Sequence, residues 1–453
     1  MPRYHFSGIA GAGMNPLAQL MRHWGHEVQG SDRSIDQGKQ EELSARLRSQ
    51  GIRLLPQDGT AIQPGLERFI YSAAVEQDTP EVRAARQLGL EMLPRSALLA
   101  EVVNDAKPGV AVAGTSGKST ITGMLGWILR RAGIAHTFLG GAALVGEGSS
   151  GGFSAGPRGG AVVAEACESD GTLIGYRPAV GIVHNISRDH GELEHIRGQF
   201  ETFAKQCGIL LVNVGCPEAR TLTSSRRITY GSEGTCDAPL EIIAVGPHRG
   251  MAVLRVPDGG ELTIDLPQPG QHNLENAAAA ALAAIQLGAR PEAIAEALRV
   301  FPGVARRFEV IGITDTGIRV VDDYAHNGEK IRAAIQAAQA GCDRLIAVFQ
   351  PHGYGPARFL RPELQDLLPR VLRPRDRFCY AEIFYSGGTV DRTLSSKDLA
   401  GDLPGDVRCG FAANHQAVME WAATEAYSGD TVLLMGARDP DLPRLARAMH
   451  DLL

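Results

Sequence analysis

Short apolar runs alternate with amphipathic stretches along this chain, and the spacing predicts strands and helices in regular succession. Residues 3–9 read as a strand, Gly8 to Gly13 as a glycine turn and 14–24 as a helix, followed by a strand over 26–30 that runs into Ser31-Asp32. Strands are expected again over 52–55, 68–72 and 90–93, with a helix over 80–88 whose first turn is favoured by Pro80 and Glu81. A second alternation opens with the apolar strand 109–113 and a helix over 121–132, and continues with strands over 160–164, 179–185 and 209–214. Residues 215–268 read as short antiparallel strands beside that sheet, and 273–287 as an alanine-rich helix. A third alternation follows Phe301-Pro302-Gly303, with strands over 319–323, 344–350, 377–381 and 431–435. The Gly- and Ser-rich stretch 146–160 reads as a mobile loop. Together these patterns predict an α/β protein of three domains: a Rossmann-like domain over 1–107, a central parallel sheet over 108–301 and a second Rossmann-like α/β domain over 302–453.

Composition narrows the class. At 453 residues the chain is too long for one ordinary core, and 21% charged with 44% hydrophobic residues is the balance of a folded domain protein. A formal charge of −6 argues against a nucleic-acid partner, which needs a basic face to displace counterions. Seven scattered cysteines without C-x-x-C spacing indicate neither a disulfide framework nor a zinc site. No leader-like segment precedes the first strand and no apolar run is long enough to span a bilayer, so a cytoplasmic protein is expected.

The chemistry concentrates at strand ends. Gly114-Thr115-Ser116-Gly117-Lys118-Ser119-Thr120 lies between a strand and a helix, so backbone N–H groups and the helix N-terminus meet phosphate oxygens, Lys118 offsets their charge, and a hydroxyl can reach Mg²⁺. Val112 stands where the full P-loop pattern has its first glycine. Glu165 and Glu168-Ser169-Asp170 follow the next strand, making Glu168 a candidate Mg²⁺ ligand, and Arg188-Asp189-His190 follow another, making His190 a candidate for a second metal or a polarised phosphate. The Gly8 to Gly13 turn has its glycines at first, fourth and sixth positions, which weakens a nicotinamide reading but leaves a diphosphate site, with Asp32 placed for a ribose or base. Asn273 and Asn276 read as caps of the alanine-rich helix, and Arg306-Arg307 with Asp322-Asp323 offer a cation and a carboxylate at the start of the third domain.

Taken in order, these motifs resemble the Mur ligases, ATP-dependent amide-bond-forming enzymes of peptidoglycan precursor synthesis. Tyr4 to Met14, Gly30-Ser31-Asp32, Tyr71-Ser72-Ala73-Ala74, Asp322-Asp323-Tyr324-Ala325-His326 and Phe349-Gln350-Pro351-His352 are most similar to the family's alanine-adding branch, with the branch that recycles murein tripeptide as near neighbour. The resemblance implies a UDP-sugar-binding first domain, a central P-loop-type ATPase sheet and a C-terminal domain that closes on ATP and the amino acid. It implies ATP and Mg²⁺ as cofactors, and UDP-N-acetylmuramate or a related UDP-sugar plus an amino acid, L-alanine foremost, as partners. Lys118, Glu168 and His190 then become catalytic, with Ser119, Glu168 and His190 as metal ligands. Gly114 to Thr120, Asn273, Asn276, Arg307, Asp323 and His326 would hold ATP, while Gly11, Ala12, Gly13, Met14, Asp32, Ser72, His352 and Arg358 would hold the substrates. Lys205, on the helix after Asp189-His190, matches the place where some members carry a carbamylated lysine. The chain departs from the family at Cys167, at Gly191-Glu192-Leu193-Glu194 and at Gly353 to Arg358, so the amine stays open between L-alanine, another amino acid and a recycled murein peptide. Two rival readings stand beside this one: a dinucleotide-dependent oxidoreductase built on the first glycine turn, and a Mur-like protein that binds without catalysis.

Overall fold

Three sheets organise the molecule, and most of their strands fall where the apolar runs predict them. The structure, a computed structural model, describes residues 2–72, 75–76, 78–147, 152–168, 171–187, 193–257, 259–385, 391–405 and 407–453, with side chains of 193–195 excepted. The chain divides into two compact units, one of Met1–Ile243, Met251–Leu266 and His272–Phe301, the other of Ala244–Gly250, Pro267–Gln271 and Pro302–Leu453.

The first unit contains the N-terminal sheet, whose strands β1 (Arg3–Ser7), β2 (Glu27–Ser31), β3 (Arg53–Leu54), β4 (Arg68–Tyr71) and β5 (Glu91–Pro94) run in the order β3-β2-β1-β4-β5. All four pairings are parallel, and the order reverses at β1, so the Gly8–Gly13 turn lies at the switch point where such sheets bind ligands. Helix α1 (Met14–His23) leaves that turn, followed by α2 (Arg33–Asp36), α3 (Glu41–Ser49), α4 (Pro80–Gln87) and α5 (Arg95–Asp105). Gly30 is required by packing: a Cβ there would stand 2.6 Å from Ile9 Cδ1 and 2.7 Å from the Phe6 carbonyl. Helix α5 was not legible in the sequence, because both its sides are covered. It buries Leu98, Leu99, Ala100, Val102 and Val103 in one apolar cluster with Tyr4 and Phe6 of the first sheet and Ala111, Val162 and Ala164 of the second. Its apolar residues, at 97–100 and again at 102 and 103, do not fall on one amphipathic stripe.

The central sheet comprises β6 (Gly109–Ala113), β7 (His136–Leu139), β8 (Phe153–Ser154), β9 (Ala161–Glu165), β10 (Val180–Val183), β11 (Ile209–Asn213), β12 (Arg227–Gly231), β13 (Ala238–Val245), β14 (Gly250–Arg255) and β15 (Glu261–Leu266). Their order is β15-β14-β13-β12-β11-β10-β6-β9-β7-β8. Two expectations change here. The strands after residue 215 extend the same sheet rather than flanking it, and β12 pairs in parallel with both β11 and β13. Part of the stretch read as a mobile loop contains β8, an edge strand antiparallel to β7, while residues 148–151 lie outside the described residues. Helices α6 (Lys118–Arg131), α7 (Leu193–Gln206), α8 (Gln271–Gln286) and α9 (Pro291–Arg299) accompany this sheet.

The second unit holds β16 (Glu309–Ile313), β17 (Arg319–Asp323), β18 (Leu345–Gln350), β19 (Arg377–Ala381), β20 (Cys409–Ala412) and β21 (Thr431–Gly436) in the order β16-β17-β21-β18-β19-β20. Only β16 pairs antiparallel; it and β20 were missed because short, half-exposed edge strands show little periodicity. Among the described residues, five helices complete the unit: α10 (Gly328–Gln339), α11 (Tyr354–Val371), α12 (Ser396–Gly401), α13 (His415–Glu425) and α14 (Leu442–Leu452). All seven cysteines are free thiols. No helix among the described residues is long and apolar enough to cross a membrane.

Candidate active site

The central site is assembled by sheet register. Strand β6 lies between β10 and β9, with Val112 opposite Glu165 and Ala113 opposite Val183, so the chain segments leaving the three strands emerge side by side. From β6 comes the phosphate loop, from β9 the carboxylates Glu165 and Glu168, and from β10 His184 and Asn185. Gly117 initiates α6 with φ of +84°, and the helix starts at Lys118, three residues earlier than its apolar pattern showed. Neighbouring Asn185 braces the loop: its carbonyl accepts from Thr115 N at 3.1 Å and its side chain from Ser116 N at 2.7 Å.

Lys118 Nζ donates to the Gly114 carbonyl at 2.5 Å and to Glu168 at 2.9 and 3.2 Å, while Ser119 Oγ donates to Glu165 Oε2 at 2.8 Å. With side-chain exposures of 11% for Lys118 and 4% for Glu168, this is a nearly dry ion pair. Burial opposes the Lys118 ammonium, but Glu168, Glu165 and Cys167 outweigh it and raise its pKa. Lys118 is therefore fully charged at neutral pH, as neutralising a polyphosphate requires. Glu165 and Glu168 with the Ser119 hydroxyl form an oxygen-only donor set of the kind Mg²⁺ takes, so these residues fit the metal. His190 lies outside the described residues, as do Ser169 and Asp170. Among the described residues there is no complete cluster of three His, Cys, Asp or Glu ready to hold a metal. Lys205 is exposed in the last turn of α7.

Helix α8 supplies the far wall. Asn273 and Asn276 do not cap it as expected: the helix begins at Gln271, which puts both inside its first turns and buries them. Asn276 Nδ2 donates to Asn273 Oδ1 at 3.3 Å, and Asn276 Oδ1 is buried without a partner among the described residues. A Cβ on Gly117 would stand 2.6 Å from that oxygen and 3.1 Å from His184 Cδ2. Gly117→Ala thus combines a left-handed backbone with a steric conflict, and a displacement of about 1 Å in such a loop is expected to lower ATP turnover about 10²-fold. Steady-state assays beside a thermal melt check this; unchanged turnover removes the loop from the chemistry.

His184 and Tyr230 were missed by sequence reasoning. The His184 ring lies 2.8 Å from the Tyr230 hydroxyl through Nδ1; burial, opposed by Glu275 and reinforced by His272, pushes its pKa well down and keeps it neutral. Glu275, also missed, accepts from Ser232 Oγ at 2.6 Å and Asn213 Nδ2 at 3.3 Å. A lone polar residue at the end of a buried strand or inside a buried helix has no periodic signature, so only the fold around them reveals these residues.

The N-terminal glycine turn is preorganised from below. Gly8 N and Ile9 N donate to the Ser31 carbonyl at 2.9 and 3.0 Å, and Ala10 N to Asp32 Oδ2 at 3.0 Å. Asp32 Oδ1 accepts from Ser34 N and Oγ, so the residue expected to meet a ribose or base also braces the turn and caps α2. Gly11, Ala12 and Gly13 are exposed, whereas Met14 is buried in the core and offers a substrate no side-chain surface. Ser72 N donates to the Ser7 carbonyl at 3.3 Å, which fixes β4 beside the turn. Arg95, not anticipated, brings its side chain to within 3.0–3.2 Å of a Cβ built on Gly13.

In the second unit, Asp323 ends β17, His326 lies just beyond it and His352 just beyond β18. Asp323 accepts from Phe308 N and Ala325 N, both at 2.7 Å, and burial raises its pKa against Arg307. His326 Nδ1 is 2.9 Å from the Tyr324 carbonyl, and the His326 and His352 rings meet edge to face at 5.7 Å. Arg307 lies with its guanidinium 4.6 Å from the Tyr324 ring centre. Arg358, on α11, pairs with Asp391 at 2.7 Å and with Thr393 at 3.3 Å.

Residues 3–107 match the model described as "Mur ligase family, catalytic domain", 112–284 that of "Mur ligase middle domain" and 306–438 that of "Mur ligase, glutamate ligase domain". The chain is 32% identical to UDP-N-acetylmuramate–L-alanine ligases of Xylella fastidiosa (strain M12) and Xanthomonas campestris pv. campestris (strain B100), over 97% of this chain and 93% of each relative. Its fold is similar to that of the UDP-N-acetylmuramate-alanine ligase of Thermotoga maritima, with a TM-score of 0.79 and 24% identity, covering 100% of this chain and 99% of the other. A murein peptide ligase from Psychrobacter arcticus 273-4 gives a TM-score of 0.68 at 23% identity, covering 100% and 98%.

Proposed function

This chain belongs to the Mur ligase family of ATP-dependent amide-bond-forming enzymes, and from that premise we propose that it joins the carboxylate of UDP-N-acetylmuramate to L-alanine in peptidoglycan precursor synthesis. One observation carries the reading to this chain: Lys118, Glu168, Glu165 and Ser119 converge at adjoining strand ends in a chain 32% identical to alanine-adding ligases along 97% of its length. In this reading residues 1–107 carry the nucleotide sugar, 108–301 ATP and 302–453 the amino acid, in the cytoplasm. An oxidoreductase built on the first glycine turn loses its motivation, since that turn falls within the family match over 3–107.

The reaction couples phosphoryl transfer to acyl transfer: the sugar's carboxylate attacks the γ-phosphate, an acyl phosphate forms with loss of ADP, and the amine displaces phosphate. Catalysis by this chain's residues is positional and electrostatic. The loop's N–H groups orient the phosphates, and Lys118 exchanges its Glu168 partner for phosphate oxygens. Glu168, Glu165 and Ser119 are the oxygen donors that would hold Mg²⁺, and the ion would supply charge neutralisation at the phosphates. Neutral His184 holds the floor of the loop without adding charge. Gly11 to Gly13 receive the diphosphate of the sugar nucleotide, with Arg95 as the cation beside them. Asn276, whose side-chain oxygen has no partner among the described residues, would add an ATP contact beside the loop, and in the second unit Arg307 is the candidate cation for ATP.

The test is phosphate release from Mg-ATP and UDP-N-acetylmuramate against a panel of free amino acids and murein tripeptide. Release that depends on L-alanine is expected. Release with another amine moves the chain to a different specificity within the family, and silence across the panel favours a binding role.

A further inference from the structure

The segment that opens the second unit is held by one arginine the ligase chemistry does not use. Arg306 donates from Nε to Asp322 Oδ2 at 3.1 Å, from Nη1 to the Ala437 carbonyl at 3.0 Å and from Nη2 to the Gly436 carbonyl at 2.6 Å. Its guanidinium also lies 5.0 Å from the centre of the Tyr324 ring. Its backbone is engaged as well: Arg306 N donates to Glu309 Oε2 at 2.9 Å, and its carbonyl accepts from Tyr324 N at 2.8 Å and from Arg307 Nη1 at 3.2 Å. Side-chain exposure is 14% for Arg306 and zero for Asp322, so this is an interior clamp and not a surface ion pair.

The clamp joins three pieces of chain: the turn 304–308, the carboxyl end of β17 and the carboxyl end of β21. The turn is strained, since Arg306 and Phe308 adopt φ of +60° and +51°, a region that side chains other than glycine's avoid. A conformation of this kind persists only where its surroundings over-determine it, and the Arg306 bonds supply that constraint. Arg307, between the two strained residues, stacks on the Tyr324 ring, and Asp323 receives Phe308 N from the same turn. We infer that Arg306 is a positioning residue: by tying the lead-in turn to the ends of β17 and β21, it fixes where Arg307 and Asp323 present themselves to the nucleotide. The inference rests on the ligase reading for the roles of Arg307 and Asp323. The bidentate fork is essential to it, since a lysine keeps the charge but cannot reach Asp322 and two carbonyls at once.

Arg306→Lys, compared with the unaltered full-length protein, separates this role from simple stability. Expected is a rise of about 10-fold in the KM for ATP and in the calorimetric Kd for ADP, with the KM for UDP-N-acetylmuramate and kcat each within about threefold. A merely structural role instead moves the melting temperature and kcat together and leaves the KM for ATP unchanged, and that outcome overturns the inference. Should Arg306→Lys not fold, Asp322→Asn weakens one of the three anchors by removing its charge and keeps the arginine. It is expected to raise the ADP Kd by about threefold in the same direction, and an unchanged Kd overturns the clamp. Nucleotide binding that is equally tight in the unaltered protein and the variants sinks this proposal alone. No nucleotide binding in the unaltered protein sinks the ligase reading and this proposal with it.

Discussion

Replacing Lys118 with Ala is expected to reduce ATP-dependent phosphate release by about 10³-fold or more, the scale seen when a cation or donor aimed at a transferring phosphoryl group is lost. The expectation follows from the local electrostatics. Lys118 is a buried ammonium whose charge two carboxylates secure, and it extends from the first residue of α6 over the phosphate loop. A second consequence must be separated from catalysis, because deletion of the ammonium leaves Glu168 nearly buried without its partner, a change worth about 3 kcal/mol in such settings. The double substitution Lys118→Ala with Glu168→Gln removes both charges and is expected to recover much of the melting temperature without recovering turnover. Stability that returns together with activity would assign Lys118 a structural role only.

The second large effect lies beneath the N-terminal sheet. Glu81 and His5 are fully buried, with Glu81 Oε1 3.0 Å from His5 Nε2 and Glu81 Oε2 accepting from Ser7 Oγ at 2.6 Å. His5 also approaches Ser31 Oγ at 3.3 Å and Gln29 Nε2 at 3.3 Å, so one carboxylate from α4 ties together the ends of β1 and β2 under the glycine turn. Glu81→Ala strands these partners in a dry interior and is expected to lower stability by about 3 kcal/mol, read as a fall in the urea midpoint at unchanged m-value. Glu81→Gln keeps the shape and some hydrogen bonding, and about half that loss is expected. Burial raises the Glu81 pKa, but His5 and the two serines outweigh it and the net shift is downward. A carboxylate with a depressed folded-state pKa contributes its stabilisation above its unfolded value, near 4.5, and loses it as pH falls through the folded value. The stability difference between the native protein and Glu81→Gln should therefore be constant at neutral pH and shrink below about pH 4.5. A difference that grows on acidification would show that the pair is not ionic in this sense.

Much of this protein was legible as a linear pattern. Strand β6 with its five apolar residues, the glycines of the phosphate loop and the helix after it form a strand–turn–helix pattern readable from consecutive residues, and so do β1, Gly8 to Gly13 and α1. The order of the motifs sufficed to identify the family, because those motifs act on ligands through nearby backbone and keep their spacing in the chain. Tertiary structure alone decided which strand ends lie side by side. Glu165 meets Ser119 because β9 pairs with β6, although 46 residues separate them, and His184 reaches the loop because β10 pairs with β6 on the other side. Burial was equally hidden. Glu81 read as a good first-turn residue of a helix, which it is, and the fold also buries it against His5 and Ser7; Asn273 and Asn276 read as caps, whereas the fold places both inside α8. Periodicity reports which face of an element is apolar, but the partner of a polar group buried on that face is set by register and packing between segments far apart in the chain.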